Sequence, residues 1–148
     1  MRRTLEAMGH GELERLLDAE LSLAVRGGAA RKTGLEAIQC YTCGTYYHWK
    51  KLDAGHYIGR ANRGVRWDLR NIRPQCTKCN SFEEGQHWKF REHLVEELGA
   101  EEVAALERVA SVWGGKRRDR LWLIEQIRSW RERNTQLRQY LRENGKED

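Results

Sequence analysis

Leu13, Leu16, Leu17, Leu21, Ala24 and Val25 recur three and four residues apart between Gly11 and the Gly27-Gly28 pair. Apolar side chains at that spacing share one face of an α-helix, so an amphipathic helix is expected to open the chain and to stop at the two glycines. From Leu35 to Ile58 the period shortens. Aromatic, β-prone pieces, Tyr46-Tyr47-His48-Trp49 and His56-Tyr57-Ile58, follow Cys40-Tyr41-Thr42-Cys43, and together they read as a twisted hairpin carrying a metal knuckle. Residues 59–75 are basic, hold two glycines and the only proline, and keep no period, as a long ordered loop would. Beyond them, Trp88, Arg91 or Glu92, and Val95 return to helical spacing and end at Gly99. Val103, Leu106, Val109 and Val112 predict a short helix closed by Gly114-Gly115, and Leu121, Ile124, Ile127, Trp130, Leu137 and Leu141 a longer one, its stripe set among charges.

A chain of 148 residues is long enough for one compact unit with a modest core. The pattern divides it into an N-terminal helical segment (1–34), a central core (35–99) and a C-terminal, basic helical extension (100–148), an α+β arrangement. With 27 Lys and Arg against 22 Asp and Glu the net charge is +5, which favours a polyanionic partner, nucleic acid first. No apolar run reaches bilayer length and no export leader is visible. A soluble, cytoplasmic protein without membrane contact is expected.

Cysteine spacing sharpens the picture. Cys40/Cys43 and Cys76/Cys79 are two C-x-x-C pairs, and in a reducing compartment such pairs are more often metal ligands than disulfides. Four thiolates suit one tetrahedral Zn²⁺, and four sulfurs leave it no open position, so the ion would be structural. The long interval between the pairs is where chemistry is to be sought. Phosphodiester hydrolysis needs a base, a cation to neutralise developing charge, and donors that hold the phosphate. His56, inside the interval, is a candidate general base because an imidazole is neutral near pH 7. Asn80, beside Cys79, offers a carbonyl oxygen suited to Mg²⁺ or Mn²⁺. Arg60, Arg63, Arg66, Arg70 and Arg73 crowd the loop after His56, where guanidinium forks could grip DNA phosphates.

Several motifs in order resemble the phage recombination family NinG (Rap), within the HNH (His-Me finger, ββα-metal) endonuclease superfamily. They are Ser22-Leu-Ala-Val25-Arg26, Cys40 to Cys43, Ala54-Gly-His-Tyr-Ile-Gly-Arg60, Arg66-Trp-Asp68-Leu-Arg-Asn71, Gln75-Cys-Thr-Lys-Cys-Asn80 and Leu98-Gly99. The resemblance implies a zinc-stabilised ββα-metal core, a hairpin and helix, flanked by an N-terminal helix and C-terminal helices. In such a core a histidine on the second strand of a hairpin faces a divalent ion held partly by an asparagine or histidine on the following helix. It also implies a structure-specific DNA endonuclease acting on D-loops and Holliday junctions in a bacterial host, with phage or host recombination proteins as partners. By the same resemblance Asn71 braces the loop and orients His56. His87 is a metal ligand or phosphate contact, and Asp53 a further metal or outer ligand, with Glu83 and Glu84 as alternatives. Two departures stand out. Many relatives carry Asp directly before the base histidine where this chain has Gly55, and the family pattern has Gly-Asn at Gly85-Gln86.

Blander readings cover other residues. His48 and His93 are given no role. Trp88 and Trp130 sit at helical apolar positions that core packing explains, whereas Trp49 and Trp67 flank the proposed site. The last helix could pair with a second copy, making a homodimer. The functional rivals are a non-catalytic zinc-knuckle DNA-binding module and an RNA-directed zinc protein.

Overall fold

The stripe of the first helix decides how the two ends of the chain meet. A computed structural model describes residues 2–82 and 87–145. Helix α1 (His10–Ser22) begins where Glu12 reaches back to accept the Gly9 backbone N–H. It lays Leu13, Leu17 and Leu21 against Leu123, Ile124 and Ile127, all nearly or fully buried. Each such side chain contributes about 1.5–3 kcal/mol through burial, so the segments 1–34 and 100–148 share one core.

The two glycines do not stop the helix. The chain winds through a wider π-type turn (Leu23–Gly27) into α2 (Gly28–Lys32). A Cβ at Gly27 would lie 3.2 Å from Leu141 Cδ1 and 3.4 Å from Leu137 Cδ2. Gly27 thus serves a close helix crossing, and the expected stop is corrected.

That crossing depends on a break in the predicted C-terminal helix. It is two helices, α5 (Arg120–Arg133) and α6 (Thr135–Asn144), hinged at the buried Asn134. The Asn134 amide donates to the Glu20 backbone carbonyl (3.0 Å) and to Glu20 Oε1 (2.9 Å), which ties the hinge to α1. The redirected α6 carries Leu137 and Leu141 onto Gly27.

Between these ends lie two small antiparallel sheets. Strands β1 (Ile38–Gln39) and β2 (Tyr46–Tyr47) form the expected hairpin around Cys40 and Cys43. Strand β3 (Leu52–His56) does not continue that hairpin. It pairs with β4 (Ile72–Cys76), in a register that sets His56 against Ile72 and Asp53 against Gln75. Residues 72–75, read as loop because of Pro74, are therefore strand. Proline is tolerated because the sheet has only two strands, so β4 has an outer edge needing no ladder donor, and the Pro74 carbonyl accepts the Tyr41 N–H at 2.9 Å.

Helices α3 (His87–Leu98) and α4 (Ala100–Trp113) close the other flank, burying Phe90, Leu94, Val103 and Leu106 with Tyr57 and Val65. Trp130, Trp49 and Trp67 are buried, but Trp88 is 68% exposed, which corrects its assignment to the core. It lies at the start of α3, before the helix face reaches α4. No described helix is long and apolar enough to cross a membrane.

Candidate metal knuckle and adjoining pocket

The β1–β2 turn and the end of β4 bring the four cysteines together. Their sulfurs all lie within 4.8 Å of one another, and all four thiols are free. Sulfurs about 2.3 Å from one tetrahedral ion would be about 3.8 Å apart; Cys43 Sγ and Cys76 Sγ are 3.9 Å apart, far beyond a disulfide bond. Burial raises the Cys40 pKa, but the Cys43 backbone N–H, the Thr42 hydroxyl and the Cys76 backbone N–H outweigh it and bring it to about 6. Burial pushes Cys79 up to about 12. Three of the four are sealed from solvent. The cluster could hold a metal such as zinc.

Beside the knuckle opens a cavity of about 870 Å³, on whose wall His56, Asp53, Asn80 and His87 meet Asp18, Ser22, Arg26 and Arg60. His56 ends β3, so it occupies the first strand of its hairpin, where the resemblance implied the second. Asn80 sits in a π-type turn (Lys78–Phe82) immediately after Cys79, ahead of α3. Its amide nitrogen donates to Asp53 Oδ2 at 3.2 Å. Glu83, Glu84 and Gln86 lie outside the described residues.

The hydrogen bonds around His56 define its tautomer. Nε2 is 2.8 Å from the Arg66 carbonyl. A carbonyl can only accept, so Nε2 carries the proton and Nδ1 keeps its lone pair. Nδ1 has no partner among the described residues and is not sealed from the cavity. Burial pushes the imidazole pKa below its usual value, against the opposing pull of the Arg66 hydrogen bond and Asp18. The ring is therefore neutral at pH 7.

That carbonyl is itself held. Asp18 accepts from Arg66 Nη2 (2.7 Å) and from Trp67 Nε1 (2.8 Å), fixing the peptide from α1. Asn71, fully buried, accepts the Ile58 N–H at 2.8 Å and donates to the Ile58 and Val65 carbonyls at 2.9 and 3.1 Å. One amide thus spans both ends of the loop that presents the Arg66 carbonyl.

The arginine row is not the free phosphate grip that the sequence implied. Arg63 pairs with Glu14, Arg66 with Asp18 and Glu14, Arg70 with Asp68 and Glu102, and Arg73 with Glu97. The loop runs between the acidic faces of α1 and of α3–α4, so these four cations brace it. Arg60 differs: its side chain is 65% exposed, only grazes Asp18 at 4.0 Å, and lines the cavity.

Sequence reasoning gave no role to Ser22, Arg26 or Asp18. Asp18, Ser22 and Arg26 are four residues apart, so they share one helix face, a polar row that could have been read as facing the site. Arg26 Nε donates to Ser22 Oγ at 2.8 Å and Nη1 to the Leu52 carbonyl at 3.2 Å, with the Trp49 ring 5.7 Å away. The guanidinium is oriented with donors to spare.

Asp53 and Asn80 present two hard oxygen donors in an open polar cavity. That set suits an Mg²⁺ or Mn²⁺ that keeps most of its water. Among the described residues the cysteines are the only cluster of three or more His, Cys, Asp and Glu ligands, so the cavity alone is no dedicated all-protein cage.

An α+β protein with a four-cysteine cluster that could hold a metal, beside a histidine, asparagine and aspartate cavity, is the class these features define. The chain belongs to the NinG family: the family described as Bacteriophage Lambda NinG protein matches residues 27–144. It is 33% identical over 93 residues to Protein ninG of Escherichia phage 933W, covering 62% of this chain and 42% of that protein. It is 36% identical over 75 residues to Protein ninG of Salmonella phage P22 (50% and 35% covered). With Protein ninG of Escherichia phage lambda the identity is 35% over 71 residues (47% and 34% covered). The matches thus span less than half the length of these relatives. No solved structure matches the chain.

Proposed function

We propose that this chain is a divalent-metal-dependent DNA endonuclease with an HNH-type core, hydrolysing phosphodiester bonds in branched recombination intermediates in the bacterial host cytoplasm. The observation that carries the reading is the neutral His56, its Nε2–H committed to a braced carbonyl and its Nδ1 without a partner among the described residues in the cavity that Asp53 and Asn80 share. Nδ1 is the atom that takes the proton from an attacking water. Asp18 and Asn71, through the loop, keep that nitrogen from rotating away. Arg26 and Arg60 supply donors to the phosphate oxygens, and His87 at the rim is a further contact.

Asp53 and Asn80 would hold the catalytic Mg²⁺ or Mn²⁺, which when bound neutralises charge on the phosphate and the leaving oxygen. Zinc in the knuckle is a positioning element, because Cys79 precedes Asn80 directly. The preference for D-loops and Holliday junctions rests on the family resemblance.

The test incubates purified protein with linear duplex, single strand, D-loop and four-way junction, with EDTA, Mg²⁺ or Mn²⁺. Nicking of branched DNA that requires the divalent ion is expected. His56→Ala and Asn80→Ala should each abolish it with zinc content and DNA affinity retained. Normal cutting by His56→Ala would overturn the mechanism, and binding without cutting in either metal would leave a non-catalytic knuckle.

A further inference from the structure

On the opposite flank of α1 from the catalytic cavity lies a second hollow of about 670 Å³, walled by Arg2, Arg3, Arg131 and Arg138. Among the described residues its only carboxylate is Glu20. Glu20 lies two residues beyond Asp18, about 200° around the helix at 3.6 residues per turn, so the two hollows face different sides. Arg138 is spent on Glu20 (2.8 and 2.6 Å), which also takes the Asn134 amide. Arg3 pairs with Glu12.

Arg2 and Arg131 are exposed, and among the described residues their guanidinium groups make no hydrogen bond or close ion pair. Burial raises the Glu20 pKa and Arg138 and Asn134 lower it, and the charge of Arg131 helps them to hold that carboxyl below its usual value. Four guanidinium groups therefore converge where one buried and already neutralised carboxylate stands. Planar forks without carboxylates match phosphate oxygens bidentately. The helical walls are fixed, since α1 and α5 share the main leucine core and the Asn134 hinge ties α6 to α1, while Arg2 and Arg3 come from the N-terminal segment, which is anchored by the buried Leu5.

We infer that this hollow is a second nucleic-acid contact, in which Arg2 and Arg131 clamp a backbone phosphate of the DNA whose scissile bond sits in the cavity across α1. A helix is about 10–12 Å thick with its side chains, whereas successive phosphates on one strand rise about 3.4 Å. The contact is therefore several nucleotides from the scissile bond, or on another arm of a branch. The contact itself rests on DNA as the partner, and only its distance from the scissile bond rests on the proposed nuclease reading.

Binding in EDTA, where nothing is cut, separates the two ideas. Fluorescence anisotropy would follow a labelled four-way junction across a salt series for the parent, Arg2→Ala/Arg131→Ala, Arg131→Lys, and Arg108→Ala as a charge control. Arg108 is exposed on α4, away from both hollows. Melting temperature and zinc content check folding. Each lost phosphate contact flattens log K against log salt by about 0.9, so the double variant, which gives up the one clamped phosphate, should flatten it by about 0.9, Arg131→Lys by less, and Arg108→Ala negligibly.

A double variant whose slope matches that of Arg108→Ala overturns the inference while leaving the nuclease reading intact. Failure of the parent to bind DNA sinks both. Inorganic phosphate or a polyglutamate peptide serves as a competitor. If either occupies the hollow of the parent while the double variant binds DNA normally, the site takes a free anion or an acidic protein, and the assignment to DNA is wrong.

Discussion

Gly55→Ala is a small change with a large expected cost. A Cβ at position 55 would stand 1.9 Å from Gln75 Oε1, 2.7 Å from its Cδ and 2.8 Å from its Cβ. The amide end could swing, but the contact with Gln75 Cβ is anchored to β4 and no rotamer relieves it. Gln75 is fully buried and donates to Thr42 Oγ1 at 3.3 Å, so its displacement also parts an amide from its partner. Alanine in place of glycine within a strand would by itself be favourable by about 0.5–1 kcal/mol. Overpacking costs about 1–3 kcal/mol, and a buried polar group left unpaired about 1–3 kcal/mol more. The opposing terms leave a net loss of about 1–5 kcal/mol, and steric crowding wins over backbone entropy.

Urea unfolding in zinc-replete buffer of the parent, Gly55→Ala, Gln75→Ala and the double variant measures it. The alanine penalty should shrink by more than about 1 kcal/mol in the Gln75→Ala background, as expected for residues in contact. A Gly55→Ala protein within about 0.5 kcal/mol of the parent, or an unchanged penalty without the Gln75 side chain, refutes the reasoning. The same crowding explains why this chain lacks an aspartate directly before His56: Gln75 occupies the space such a side chain would need.

Three further outcomes follow from the site and its frame. Burial lowers the His56 pKa, so the folded chain binds fewer protons there than the unfolded chain. The stability tied to the neutral ring is complete above the unfolded value of about 6.5 and is lost as pH falls from there through the folded value. Nicking should accordingly hold a plateau through neutrality and decline only below pH about 6.5; an acid limb centred above neutrality would contradict it. Elemental analysis should find one zinc per chain, and Cys76→Ser should lose both the metal and much of the melting temperature, because structural zinc binding is folding free energy; equal melting of metal-free and loaded protein would remove the knuckle's role. Asn134→Ala leaves two Glu20 acceptors short of a donor and should cost about 1–3 kcal/mol in urea unfolding, against no change if the α5–α6 hinge is incidental.

Much of the site was legible because its signals are local. The two C-x-x-C pairs, Asn80 next to Cys79, and Asp53 and His56 on one short strand are set by spacing along the chain, and the sulfurs do converge within 4.8 Å. Which arginines are already paired was not legible, for the complementary reason. A run of cations looks free until the carboxylates that face it are known, and Glu14, Asp18, Glu97 and Glu102 arrive from helices far away in sequence. Arg26 was given no role although it shares a polar helix row with Asp18 and Ser22, because that row alone does not say which cavity it faces.

Periodicity alone determined that α1, α3 and α4 exist and which face α1 buries, since an apolar stripe needs a core whatever its partner is, whereas α3 buries Phe90 and Leu94 and leaves Trp88 exposed, and α4 leaves Val112 exposed. Tertiary contact decided where helices continue or break. The helix runs on through Gly27 because Leu137 and Leu141 cross where a side chain there would stand, and the C-terminal stripe bent at Asn134 because Glu20 holds its amide. Strand partners were likewise undecided locally, because β3 finds β4 across a loop whose closure depends on Asn71 and on ion pairs to three helices. Side-chain spacing is written into the chain, whereas hydrogen-bond partners and charge neutralisation exist only once distant segments meet.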